Sequence, residues 1–382
     1  MAERPKADII IHGAGIAGLW LHHRLRREGY DCLLLEKDKI GGGQSIASQG
    51  IIHSGLKYTL AGKVSELARS ISAMPDRWRD ALAGKGEVDL RGAKMNAASQ
   101  QLLIPPGFMG GIVKNIAGKA LGGGAHDIAL SDWPDGLKES GFNGSLIHMA
   151  EPVLDIPSVI RALAEPYKES IRQSGEEIPN ARLHIYTAAA GNLEAAKKFG
   201  QDKGLETQAR PLMMGMLKPA PFSLYTHLIG KSDKPVCTIT THIDKDGALI
   251  WYLGAQVAER NKEEAPEKVY SAALKAFQTY LPQVDFSNTQ WATLPIDRIE
   301  GKSKTGGWLP DTPTIHEADN HLYCWPTKLT FAPLLANNVM EKIRARGIEP
   351  SGSTSDWSHL LPVDYALPPW DHVTWTSYKN EN

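Results

Sequence analysis

Gly13, Gly15 and Gly18 stand at the spacing G-x-G-x-x-G, and Glu36 follows them by roughly twenty residues. The first glycine permits a tight turn, the second lets backbone approach a diphosphate, and the third lets a helix pack closely on a sheet. A carboxylate at that distance can accept hydrogen bonds from both hydroxyls of a ribose. The chemistry these residues suit is the grip of a dinucleotide. Ala14, Ile16 and Ala17 lie within the turn and Lys37 beside the acid, so we count all four with the binding set. Such a grip needs elements to hold it. Residues 9–11 form an apolar strand, Trp20, Leu21 and Leu25 mark a helix, and residues 32–35 form a second apolar strand ending on Glu36. The order is a βαβ unit whose helix N-terminus faces the phosphates. Without that context the glycines would equally be a strand-to-helix turn that binds nothing.

The chain has 382 residues, 42% of them hydrophobic, enough for more than one packed unit. Its formal net charge of -1 gives no overall field toward nucleic acid or an anionic membrane. Cys32, Cys237 and Cys324 are isolated, which argues for a reducing compartment and against a disulfide framework. No apolar run is long enough to cross a bilayer, and residues 1–8 lack a signal-type apolar core. A cytoplasmic protein, or one peripheral to a membrane, is expected. His22 and His23 are adjacent on the helix and point different ways, so they cannot chelate together, and no metal site is expected.

After Glu36 comes KDKIGGGQSIASQGIIHSGLKYTLAG, rich in glycine and small polar residues. Read alone, it is equally a flexible surface linker. Placed directly after the βαβ unit, it resembles the segment of the D-amino-acid oxidase and glycerol-3-phosphate dehydrogenase superfamily that wraps FAD, with IIHSGLKY nearest to the glycerol-3-phosphate and L-2-hydroxyglutarate dehydrogenase branch. The resemblance implies FAD as cofactor and Gln44, Ser45, Ser48, Gln49 and Gly50 along it. IYTAAAGN, residues 185–192, resembles the strand and turn that return the chain to the FAD lobe, which implicates Gly191; alone it is a strand with a glycine at a helix end. LYCWPTKLTFAPLLANNVMEKI, residues 322–343, resembles the turn that sets a helix N-terminus at the flavin's N1–C2 edge, implicating Lys328, Leu329 and Thr330. A reduced flavin carries negative charge there, which a helix dipole and Lys328 would stabilise.

Residues 236–259 show β-branched and aromatic runs on either side of a DKDG turn, a hairpin signal from which an antiparallel sheet follows. In the resembling families such a sheet roofs the flavin. Residues 205–220 read as another strand, on which Arg210 is more often a surface residue than a ligand. LPIDRIEGKSKTGGWLPDTPTIHE resembles the segment whose arginine binds a substrate carboxylate or phosphate, which makes Arg298 the anion-binding candidate. Asp297 departs from the glycine usual before that arginine, and the pair could be surface charge. His53, carried by IIHSG toward the ring, is the candidate base; it could also simply bond the flavin or the backbone. Lys57, Tyr58, His227, His242 and Trp251 are weaker candidates, because the pattern does not say which face of a strand meets the flavin.

The expected architecture is an α/β FAD-binding lobe with a parallel, Rossmann-like sheet, and an inserted α+β lobe with an antiparallel sheet. The FAD lobe takes residues 1–90, 146–204 and 298–350; the substrate lobe takes 91–145 and 205–297; residues 351–382 form an aromatic, proline-rich arm that packs on the protein or on a second copy. Residues 107–144, dense in glycine, are a substrate lid or an irregular connection. The expected activity is oxidation of a small anionic CH–OH compound, a 2-hydroxy acid or polyol phosphate. Oxygen, a quinone or an electron-transfer protein would take the electrons, and the absence of a second G-x-G-x-x-G argues against direct reduction by NAD(P)H. The alternatives are an amino-acid or amine oxidase of the same fold, and a flavin-bearing subunit inactive without a partner; the short link between Ile171 and Leu183 gives the latter weight.

Overall fold

A computed structural model describes residues 6–54, 71–107, 125–232, 234–301 and 312–378. Lys57 and Tyr58, residues 108–124 of the glycine-dense segment and residues 302–311 lie outside the described residues. The chain opens with β1 (Lys6–His12), α1 (Ile16–Arg27) and β2 (Cys32–Glu36). After α2 (Met74–Leu82) come β3 (Met95–Ala97), β4 (Gln100–Ile104), β5 (Ala125–Asp127), β6 (Ser145–Met149) and β7 (Val153–Leu154). There follow α3 (Ile156–Ala164), β8 (Ile171–Gln173), β9 (Asn180–Tyr186) and α4 (Ala190–Lys198). The next stretch holds β10 (Thr207–Lys218), β11 (Thr226–Leu228), β12 (Cys237–Ile243), β13 (Leu249–Gly254), α5 (Glu267–Tyr280) and β14 (Gln290–Gly301). Last come β15 (Thr314–Ala318), β16 (His321–Trp325), α6 (Ala332–Ala345) and β17 (Thr376–Ser377).

Two main sheets result. The first runs β15-β16-β9-β1-β2-β8, parallel except where β15 meets β16. Its central strand β1 is apolar at three successive positions because both faces are covered. Ile9 and Ile11 pack into the core shared with α1, α3 and α6, whereas Ile10 turns to Leu33, Leu35 and Trp357. Arg24, Arg26 and Arg27 close the last turn of α1, where cations suit the helix dipole.

The second sheet runs β17-β14-β10-β13-β12-β11-β4-β6-β5. It is antiparallel except for the β4–β11 pair, which is parallel. The expected DKDG hairpin is β12–β13. One face of the sheet, including Trp251 and Trp291, buries against α5 through Tyr270, Ala273 and Phe277. The other face meets the first lobe.

Residues 348–378 pack on this chain's own two lobes. Ile40 donates its amide to the Asp364 carbonyl and accepts from the Ala366 amide, Arg172 donates to the Trp357 carbonyl, Trp370 stacks on His242 with centroids 4.3 Å apart, and β17 pairs with β14. All three cysteines are buried free thiols. Among the described residues no helix is long and apolar enough to cross a membrane.

Several histidines are buried neutral. Burial, then the imidazoles of His184 and His321, lower His12 to about 3. Burial, then Arg26 and His23, lower His22 to about 3, and burial alone does the same for His242. Above the unfolded value of 6.5 these groups leave stability untouched. As pH falls from there toward 3 the unfolded chain gains protons that the native state refuses, a loss of about 1.4 kcal/mol per pH unit for each histidine. We therefore expect the urea midpoint to hold above pH 6.5 and to fall steadily below it. A midpoint flat across that range would refute the assignment.

Candidate active site

The nucleotide turn is built around atoms too close for side chains. Gly13 has φ +105°, and a Cβ on Gly18 would lie 2.0 Å from the Gly13 carbonyl oxygen and 2.7 Å from Thr187 Oγ1. Glu36 accepts from the Ala14 amide at 2.6 Å and from the Asp38 amide at 3.0 Å. Ser45 Oγ accepts from the Ile16 amide at 2.8 Å, so the stretch after β2 folds back on the first turn of α1. Ala14, Ile16 and Ala17 are buried there, Gln44 is half-buried and Lys37 is exposed.

From Ala47 onward the chain is stitched beneath the second sheet. Tyr252 donates its hydroxyl to the Ala47 carbonyl at 2.8 Å. The Gln49 amide nitrogen donates to the Tyr252 and Thr238 carbonyls at 2.9 and 3.1 Å, so this side chain joins the lobes. Gly50 has φ +74°, and a Cβ there would stand 2.1 Å from the Leu154 carbonyl oxygen. That close approach lets residues 50–53 run antiparallel to residues 151–154, through Leu154 N to Gly50 O and Ile52 N to Pro152 O, both 2.9 Å.

The pairing sets His53 against Glu151. Nδ1 of His53 lies 3.0 Å from Glu151 Oε2, and the Ser54 amide and hydroxyl both donate to Oε1 at 2.7 Å. Glu151 is 2% exposed. Burial by itself would raise its pKa; His53, His227 and Ser54 outweigh that and hold the carboxyl at about 2. The His227 ring lies nearly parallel to that of His53, centroids 6.0 Å apart, and its Nδ1 is 2.7 Å from Thr238 Oγ1. His53, Glu151 and His227 offer three potential metal-ligand atoms within 4.8 Å of one another.

Two turns complete the floor. Ala189 has φ 51° and ψ −107°, an uncommon conformation held by Ala188 N to Asn192 Oδ1 at 2.7 Å, Asn192 Nδ2 to Cys324 O at 2.9 Å and Trp325 Nε1 to Ala189 O at 3.1 Å. Gly191 follows in the first turn of α4. Thr327 has φ 64°, and Lys328 and Leu329 lead into Thr330 just before α6. Thr330 Oγ1 accepts from the His53 amide at 3.2 Å, and its carbonyl accepts from Trp78 Nε1 at 3.1 Å. The Lys328 ammonium lies 5.6 Å from the centroid of Phe331.

Arg298 reaches the same turn from β14, donating to the Thr327 carbonyl at 3.2 Å and to Glu300 at 2.9 Å. Arg210, its cross-strand partner, grips Glu300 at 2.9 and 3.2 Å. Arg210 thus joins the site side of the sheet. Asp297 pairs with Lys262. His227 and His242 lie on the sheet face opposite α5, His227 against His53 and His242 against Trp370, while Trp251 turns to α5. Sequence reasoning missed Glu151, Asn192 and Glu300. Glu151 had one usable signal, a carboxylate inside the apolar stretch of residues 146–154.

The residues fit FAD. Two buried hydroxyls, Ser48 Oγ and Thr327 Oγ1, have no hydrogen-bond partner among the described residues. They stand in the wrapping stretch and in the turn before α6, where a ligand would supply partners. Comparison with known proteins agrees. A family model for FAD-dependent oxidoreductases of the DAO type matches residues 8–103. The probable FAD-dependent oxidoreductase PA4991 of Pseudomonas aeruginosa is 38% identical over 395 aligned positions, covering 98% of this chain and 99% of that one. Its crystal structure superposes with a TM-score of 0.82 at 34% identity, over 97% of this chain and 99% of that one. L-Proline dehydrogenase from P. horikoshii, with a TM-score of 0.67 and 13% identity over 90% and 94% of the chains, shares the fold. So does dithionite-reduced L-α-glycerophosphate oxidase of Mycoplasma pneumoniae with FAD bound, at 0.64 and 13% over 89% and 95%. The chain belongs to the DAO family of FAD-dependent oxidoreductases. It is an enzyme, and its cofactor is FAD.

Substituting Gly18→Ala should leave a folded protein, by circular dichroism, that purifies with at least about ten-fold less flavin, read as absorbance near 450 nm against 280 nm. Full flavin content in this variant would contradict the cradle.

Proposed function

We propose that the enzyme oxidises a small anionic CH–OH compound, a 2-hydroxy acid or polyol phosphate, in the manner of the glycerol-3-phosphate and L-2-hydroxyglutarate branch. One observation carries the reading: residues 327–330 anchor the groups for both ends of such a substrate. Arg298 hangs from the Thr327 carbonyl and His53 from the Thr330 hydroxyl. Two guanidinium groups and one carboxylate, Arg210, Arg298 and Glu300, sum to one positive charge, with Lys328 nearby. An anion is favoured there. Both Glu300 oxygens are held by guanidinium groups, which disfavours Glu300 as a receptor for a substrate ammonium.

In this reading residues 13–18, Glu36, Ser45, Ser48, Gly50, Gly191 and residues 328–330 hold FAD, with Gln44 and Gln49 flanking it and Lys37 at the adenosine end. Bound FAD supplies a hydride acceptor at N5. Arg298 orients the anion, and His53 takes the hydroxyl proton. The α6 N-terminus and Lys328 would favour the negative charge that a reduced flavin carries.

Anaerobic mixing of the holoenzyme with 2-hydroxy acids, polyol phosphates and amino acids tests this directly. Flavin bleaching by a member of the first two classes is the expected result, and bleaching by amino acids alone would replace the reading with an amine oxidase. With the substrate found, Arg298→Ala should raise KM roughly 10- to 150-fold, the worth of one charged hydrogen bond.

A further inference from the structure

We propose that Glu151 is a positioning residue that fixes His53 as its Nδ1–H tautomer and leaves Nε2 as the proton acceptor. The inference rests on the reading of His53 as base and adds what makes it one. Glu151 is buried, and the Ser54 amide and hydroxyl both donate to its Oε1, leaving Oε2 for the imidazole 3.0 Å away. An ionised carboxylate accepts hydrogen bonds and donates none. Glu151 is held ionised, so the proton in the shared bond belongs to Nδ1. In the neutral ring that leaves the lone pair on Nε2, on the far side from the carboxylate.

The backbone enforces the geometry. His53 is hung by its amide from Thr330, and its strand is bonded to residues 152–154, next to the carboxylate. When a substrate hydroxyl gives up its proton, the O–H bond breaks, an N–H bond forms at Nε2, and the O–H electron pair stays on oxygen. Glu151 then faces an imidazolium whose charge it balances, the task a carboxylate performs behind the histidine of a hydrolase triad. His227 is held from its other side by Thr238 and lies parallel to His53, closing the cluster against the substrate sheet.

Holoenzyme labelled with 15N in histidine alone tests the assignment by long-range proton–nitrogen correlation above the imidazole titration range, with His53→Asn marking the His53 signals by their loss. Wild type should show hydrogen on Nδ1. In Glu151→Gln the two Ser54 donors claim the amide oxygen and turn the NH2 toward His53. The ratio of Nδ1–H to Nε2–H forms should then fall at least ten-fold, and flavin bleaching should slow by two to four orders of magnitude, as for an amide behind a triad histidine. A wild-type proton on Nε2, or a ratio unmoved by the substitution, overturns the proposal; the wild-type spectrum decides even if the variant does not fold. Failure of the base reading is distinct: His53→Asn would bleach at the wild-type rate while the tautomer result stood.

Discussion

The buried hydroxyl of Thr330 is the point from which the candidate site is hung. It accepts the His53 amide and lies 3.4 Å from the Ile51 carbonyl, to which it donates, while the carbonyl of the same residue takes the indole N–H of Trp78. Three parts of the chain far apart in sequence thus meet at the start of α6: the stretch after β2, helix α2 and the turn after β16. A helix N-terminus leaves amides and partial positive charge unsatisfied. Here that end is braced by its surroundings, so the charge it offers is held in place.

A second constraint is that the two sheets are joined by side chains reaching main-chain atoms. Gln49 and Tyr252 bond carbonyls across the lobe boundary, and Arg298 bonds the Thr327 carbonyl from β14. Carbonyls cannot be moved without moving a whole strand or turn. The relative placement of the imidazole on one lobe and the guanidinium on the other therefore follows from backbone positions. Glu300, buried between two arginines, performs the same service for charge: it costs part of the positive field and in return fixes where Arg298 points.

Much of the first lobe was legible in the sequence because its signals are local. Gly13, Gly15, Gly18 and Glu36 lie within one βαβ unit, and the turn from Thr327 to Thr330 precedes an amphipathic helix. The DKDG hairpin was likewise readable from its own residues. The parts that escaped depend on long-range placement. Whether His227 or Trp251 faced the site turned on strand register, and register comes from the pairing of β11 with β4 and of β13 with β12. Arg210 looked like a surface residue because Glu300 lies ninety residues further on, across the β10–β14 ladder. Glu151 carried a faint signal, and its purpose emerged only when Gly50 admitted the chain to within touching distance of Leu154.

The arm formed by residues 348–378 has a mechanical meaning. It is fastened to the first lobe at Ile40 and Arg172 and to the second through Trp370 and β17. Any scissor-like parting of the lobes would have to peel β17 from the sheet edge and unstack an indole from an imidazole. Such an opening would therefore carry the cost of the arm's contacts in addition to those of Gln49 and Arg298 across the boundary.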